Sequence, residues 1–356
     1  MDGELTIILM NILLNFGIGL IVTLSLNLEV GYMNLPQFGR MLAVLVGATV
    51  AGGVSGRIIA ALLGFPFGAE YAGPDNYRIV NDINMILEKN PVLSILYLIL
   101  TLVLAAILGG VMGYLTAYPA IRLREAYLGI TLLAFADILQ NIVWYYDPIA
   151  GGTQGINVVD PFRFFGPKRF EASIYVIVAI ALLVFIYIEF LTRSPYGRVL
   201  RAIRDAETAA AVYGKNIVQM RSYTMIIGGA IAAVAGALWA LYTGSFKAIT
   251  YTRLLWTFWP WAYMMLGGTG NNLGVLVGVL IFSIFRTYIT IYKHEISSYL
   301  MISAEWLEYI LVGLVIVLIV LIRPQGLIPE KPTHIIPRRE IEKIISSQEQ
   351  GSSGKR

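Results

Sequence analysis

The sequence predicts an all-α, polytopic transmembrane helical bundle of about 8–10 membrane segments, one of them broken or re-entrant. Three observations lead there. Apolar runs of about 20 residues, enough to cross a hydrocarbon core of roughly 30 Å as a helix, recur along nearly the whole chain. The composition is 57% hydrophobic and 13% charged, against soluble averages of about 45–50% and 25%. Lys and Arg gather in short links between the runs, the asymmetry that marks a cytoplasmic face. One transmembrane domain, 1–326, follows, with a polar cytoplasmic tail, 327–356, expected to be disordered.

The first predicted span is 5–26. It lacks the basic n-region and small-residue cleavage pattern of a secretory signal. Asp2 and Glu4 stand before it, with no Lys or Arg, so an external N-terminus is permitted. Spans 41–63, 92–117 and 126–146 come next. The link 64–91 is of mixed charge with the turn signals GPDN and KNP, and reads as an external loop. YPAIRLRE (118–125) holds Arg122 and Arg124 and reads as internal. Loop 147–171 carries Arg163, Lys168 and Arg169, which argues against an external position, but the parity of its neighbours puts it outside. Span 172–192 follows, then the polar basic segment 193–221, then span 222–243.

Region 255–291 is compound. Its first half, LLWTFWPWAYMML, is short for a crossing and has Pro260 in its middle. The flanking segments require an even number of crossings. Two thin spans with GGTGNNLG (267–274) facing the cytosol satisfy this, as does a re-entrant pair of half-helices, the favoured reading. Non-helical backbone at membrane depth survives only inside protein or along a wet cavity. Residues Gly267, Gly268, Gly270 and Asn271 are therefore expected near a pathway or a helix junction. Span 305–322 is last, and Lys331, Arg338, Arg339 and Lys343 assign the tail to the cytoplasm. Pairs at four-residue spacing, Gly52/Gly56, Gly109/Gly113 and Gly274/Gly278, point to closely packed helices.

Composition excludes several function classes. With no cysteine, thiolate catalysis, disulfides and Cys-based metal sites are ruled out. His294 and His334 lie apart and form no HExxH pattern. No catalytic residue, metal or cofactor is expected. The net charge of +4 belongs to membrane orientation and not to nucleic-acid binding. There is no GxxxxGK[ST]; Gly214-Lys215 is followed by Asn216 and lacks the upstream Gly. Any ATP hydrolysis must come from another chain.

Four groups of residues carry possible function. In 193–221, Pro195 opens a helix of two to three turns around 196–212, and Gly214 stops it. Arg198, Arg201 and Arg204 crowd one side and Leu200 and Ile203 mark another; Asp205 and Glu207 are the acids. This is either an ordinary basic loop or an amphipathic helix docking on lipid headgroups or a protein. Asp137, mid-span, shares a helix face with Gln140 and Asn141. Either this face lines a path and meets an ammonium group, or Asp137 pairs with Arg57 or Arg286 to hold helices together. Trp256, Trp259 and Trp261 read as an interfacial aromatic belt or a gate. GGTQGI brings Gly151, Gly152, Thr153, Gln154 and Gly155 into one loop, either a backbone anion nest or a flexible contact for another protein.

Several stretches together resemble the permease subunits of branched-chain amino acid ABC importers, of the LivM/LivH type. They are LNLEVGYMNLPQFGRMLAVLVGATVAG, PAIRLREAYLGITLLAFADIL, GGTQGI, SPYGRVLRAIRDAETAAAVYGKNI, AGALWALYTGSF, LGGTGNNLGVLVGVLI and RPQGLIP, covering roughly 20–330. The chain departs from that pattern at Met33-Asn34-Leu35-Pro36 and at Asp137, where the family often carries Glu nearby. The resemblance implies a type II ABC importer-like fold in the plasma membrane. It implies a second homologous permease, two cytosolic ABC ATPase subunits and an extracellular or periplasmic solute-binding protein as partners. Residues 196–214 would then be the helix that couples to the ATPase. The rival is a secondary transporter of a small polar solute driven by an ion gradient. It calls for several acidic residues deep within spans, and the sequence shows only Asp137.

Overall fold

A computed structural model of the chain describes residues 2–123, 125–300 and 304–330. Helix α1 (Asp2–Met33) is mostly apolar and stops at Asn34, which takes a positive φ of 54°. Residues 34–39 are non-helical. Helix α2 (Arg40–Thr49) then passes through a π-helical turn, Val50–Val54, into α3 (Ser55–Leu62), and the three together make one crossing. The first span is thus longer than 5–26. Asn27 and Glu29, polar enough to end a hydropathy window, sit inside the helix.

The expected loop 64–91 contains a helix, α4 (Asn76–Lys89). Its buried Ile79, Val80, Ile83 and Leu87 recur at helical spacing. The turn signals GPDN and KNP bracket this helix. Helices α5 (Pro91–Arg122), α6 (Glu125–Tyr145) and the short α7 (Asp147–Ala150) follow. Strand β1 (Ile156–Asn157) precedes α8 (Arg169–Arg193), α9 (Pro195–Asp205), α10 (Glu207–Val212) and α11 (Ile217–Thr243). Strand β2 (Ser245–Phe246) pairs antiparallel with β1. A π turn (Leu254–Phe258) leads into α12 (Trp259–Gly267), then α13 (Asn272–Leu300) and α14 (Ala304–Ile322).

Among the described residues seven helices are long and apolar enough to cross a membrane. Helix α14 is a further apolar helix of 19 residues. The compound region resolves into one half-helix and one full crossing. Residues 254–267 rise only about 21 Å at 1.5 Å per residue, short of the hydrocarbon core, whereas α13 has 29 residues. The half-helix is real; its partner is whole.

Packing is closest where helices meet through glycine. Helix α5 lies on α11 with Gly109 and Gly113 against Gly229 and Met225, and a Cβ at Gly113 would overlap the Met225 carbonyl. Gly47 and Gly236 do the same for α2 and α11. Helix α11 is accordingly buried along most of its length, the hub of the bundle. Gly31 near the end of α1, α9 and the turn before α13 meet at one end, called here the basic end. The N-terminal end of α1, α4 and the β1–β2 ribbon lie at the other.

Candidate functional site

The basic segment folds as two short helices. Ser194 Oγ accepts from Tyr196 N at 3.2 Å and Pro195 takes the first helical position, a capped start for α9. Leu200 and Ile203 are buried toward α8 and α1. Six residues of helix turn Arg204 about 120° away from Arg198, so the arginines do not share one free face. Arg201 lies over the Tyr32 ring at 5.7 Å and donates to the Thr192 carbonyl. Arg204 donates to the Gly31 carbonyl at 2.8 Å and pairs with Glu330 at 2.8 Å and Asp205 at 2.9 Å. Both are clamped to the chain's own core. Arg198 is exposed. Glu207 pairs with Arg221 at 3.0 Å, fastening α10 to α11. At the end of α10, Val212 and Tyr213 are 86% and 83% exposed, and Gly214 turns the chain at φ 75°.

The turn 267–271 sits against this segment. Gly270 N donates to Asn27 Oδ1 at 2.9 Å, and Asn272 donates to Glu189 and Thr192 of α8. Asn271 donates to the Ile328 and Pro329 carbonyls. Gly268 takes φ 120° and Gly270 φ 75°. Leu327 and Ile328 donate backbone hydrogen bonds to Leu266 and Gly267. Residues 327–330 therefore lie docked on the bundle; the tail from 331 onward lies outside the described residues.

Among the described residues, two acid–arginine pairs lie deep in the membrane-spanning part. Asp137 is about 18 Å along α6, and its partner is Arg253, with Arg253 Nε to Asp137 Oδ1 at 2.7 Å and a second contact from Nη2 to Oδ2. The side chains are 31% and 45% exposed. Gln140 donates to the Ala248 and Tyr251 carbonyls, while Asn141 turns back to the Asp137 carbonyl. Arg57 instead bonds the Gly53, Ile149 and Pro148 carbonyls, and Arg286 lies over the Trp259 ring at 5.2 Å.

The second pair lies outside every sequence-stated span. Glu29 of α1 and Arg40 of α2 approach to 2.5 Å, each 1% exposed. Gln37 donates to Glu29 at 2.9 Å and accepts from Gly39 N at 3.1 Å. The other carboxylate oxygen faces Gly228, where a Cβ would overlap it. Gly228 is about 16 Å along α11, so the pair sits deep in the bundle. A signal existed in the sequence: opposite charges on both sides of an Asn-Leu-Pro break.

The tryptophans pack inward and do not form a belt. Trp256 and Trp259 are buried. Trp261 donates to the Gln37 carbonyl at 3.0 Å and stacks on Phe38 at 4.9 Å. At the opposite end Gly151, Gly152 and Gly155 all have positive φ. The amides of Gly151, Gln154 and Gly155 are spent on carbonyls inside the loop, so a free anion nest is not formed by them. Thr153 and Gln154 are exposed at its tip. The loop and residues 69–77 border a cavity of about 630 Å³. Among the described residues no cluster of His, Cys, Asp and Glu is able to hold a metal ion.

Apolar spans, a half-helix and deeply placed polar pairs define a multi-pass membrane protein. Comparison with known proteins narrows this. Residues 8–320 match the family described as branched-chain amino acid transport system / permease component, and the chain belongs to that family. It is 42% identical to the probable branched-chain amino acid transport permease protein LivM of Methanocaldococcus jannaschii, over 92% of this chain and 95% of that protein. It is 28% identical to the high-affinity branched-chain amino acid transport system permease protein LivM of Salmonella typhimurium, over 61% of this chain and 54% of that protein. The probable permease LivH of Methanocaldococcus jannaschii is 29% identical over 59% of this chain and 65% of that protein. No solved structure matches.

Proposed function

We propose that the chain is the permease subunit of an ATP-driven importer for amino acids, branched-chain ones foremost, that receives its substrate from an external binding protein. The observation that carries this is the α9–α10 hairpin. Its arginines bind it inward to the permease, while Arg198, Val212 and Tyr213 stand out from the basic end. Exposed apolar side chains beside a firmly seated helix are what a protein partner would cover. The absence of a phosphate-binding loop gives that partner its task. In this reading the basic end faces the cytosol and the N-terminus is outside. Two ATPase subunits serve this chain and a second permease.

The half-exposed Asp137–Arg253 pair supports the second permease. A charge at mid-depth costs about 2.5–3.5 kcal/mol or more in lipid, so this face turns to protein or to water. With Gln140 and Asn141 it belongs to the translocation path at that junction. The loop Gly151–Gly155, with its exposed tip, is the contact for the binding protein. Turn residues Gly267, Gly268, Gly270 and Asn271 close the basic end of the path. The secondary-transport rival gains a second deep acid in Glu29, yet both deep acids are paired with arginine, leaving neither open as an ion ligand.

The test is capture of the ATPase. Tyr213→Glu combined with Val212→Asp removes no side-chain hydrogen bond or ion pair among the described residues. It is expected to cut ATPase co-purification and ATP-dependent leucine uptake at least tenfold at unchanged expression. Arg201 and Arg204 are poor test positions, because reversing them breaks the inward clamp as well. Uptake that persists in the variant and collapses with an ionophore would establish the secondary transporter instead.

A further inference from the structure

We infer that Glu29 and Arg40 are positioning residues of the transport cycle: their pairing latches the α1–α2 break, and the α9–α10 hairpin acts on transport by releasing it. This rests on the ATP-driven reading above. The pair is too dry to be explained by stability. Moving two charges out of water costs several kcal/mol per ion, and apolar residues of similar volume in place of a buried pair are often neutral or stabilising. Here satisfaction is incomplete as well. Glu29 Oε1 and Arg40 Nε have no hydrogen-bond partner among the described residues. A half-satisfied pair in a low-dielectric interior is suited to registry or switching.

Its position fits a switch. The pair joins the last turns of α1 to the first residue of α2, and Gln37 folds the intervening backbone around it. That backbone reaches the half-helix, since Gln37 O accepts from Trp261 and Phe38 stacks on the same ring. Two connections run to the hairpin. Arg204 holds the Gly31 carbonyl, two residues from Glu29. A cavity of about 420 Å³ is bordered by Asn34, Leu35 and Pro36 of the break and by Glu207 and Ala211 of α10. The break thus has a handle on one side and room to move on the other.

The experiment replaces both charges at once, Glu29→Leu with Arg40→Met, in the full chain assembled with its ATPase and partner permease in proteoliposomes. The chain lacks cysteine, so Ala43→Cys, buried one turn beyond Arg40, gives a single thiol for a membrane-impermeant maleimide. The Ala43→Cys chain with Glu29 and Arg40 intact is expected to label faster during ATP turnover. The double variant should melt within a few degrees of wild type and keep hydrolysing ATP. Its leucine uptake per ATP is expected to fall at least tenfold, with the turnover-dependent labelling gone. Glu29→Gln with Arg40→Gln, polar and uncharged, is a second version read by the same ratio. A stable double variant with uptake per ATP within twofold of wild type overturns the latch alone. Wild-type uptake that needs no ATPase overturns both the latch and the importer reading.

Discussion

The two intramembrane ion pairs are chemically alike and physically opposite. Glu29–Arg40 is sealed, with 1% of each side chain exposed; Asp137–Arg253 is left 31% and 45% open. A sealed pair has its environment fixed by its own chain, so its energetics belong to the permease alone. An open pair at mid-depth is only partly covered among the described residues, and under the proposed function a second permease or water completes its surroundings. The contrast separates internal mechanics from assembly surface. Exposure, and not charge or depth, is the distinguishing property.

The strongest way to break this contrast is to strand one charge. Glu29→Ala leaves Arg40 buried without its partner, and a loss of about 3–5 kcal/mol is expected, read as thermal unfolding in detergent. A loss below about 1 kcal/mol would show that water reaches the pair. Gly228→Ala is next, since its methyl group overlaps the Glu29 carboxylate. About 1–3 kcal/mol of overpacking strain is expected, with Glu29→Leu/Arg40→Met altering that cost because the obstructed carboxylate is gone. Asp137→Asn comes last in stability, with a smaller loss than either because the half-exposed Arg253 keeps access to water or a protein partner, yet leucine uptake should drop at least tenfold. Equal stability losses at Asp137 and Glu29 would erase the distinction.

Most of the crossings were legible because long apolar runs carry their own signal. The end of the first span is an exception, because local polarity there mimics an end of structure. Asn27 and Glu29 closed the first hydropathy window, although α1 continues to Met33 because Asn27 bonds Gly270 and Asn272 and Glu29 bonds Arg40. All of those partners are remote in sequence or lie past a break, where periodicity carries no information. The helix at 76–89 was different. Its apolar spacing at Ile79, Val80, Ile83 and Leu87 was readable, and the turn signals at its borders obscured it. For Asp137 the sequence showed the charge but not which arginine answers it. Arg253 is the helical residue immediately before the π turn, and only the tertiary path of residues 248–253 along α6 brings it there. The arginines of α9 were visible as a row, but which of them point inward depends on contacts with Gly31, Thr192 and Glu330.

Glu330 has a consequence for biosynthesis. Arg204 leaves the ribosome long before Glu330, so in a nascent chain only Asp205 and the Gly31 carbonyl are there to answer its guanidinium at the basic end until translation passes residue 330. Docking of 327–330 on the turn at 266–267 makes completion of this end a late event. A prematurely terminated product would thus differ from the finished one at the very surface proposed to receive the ATPase.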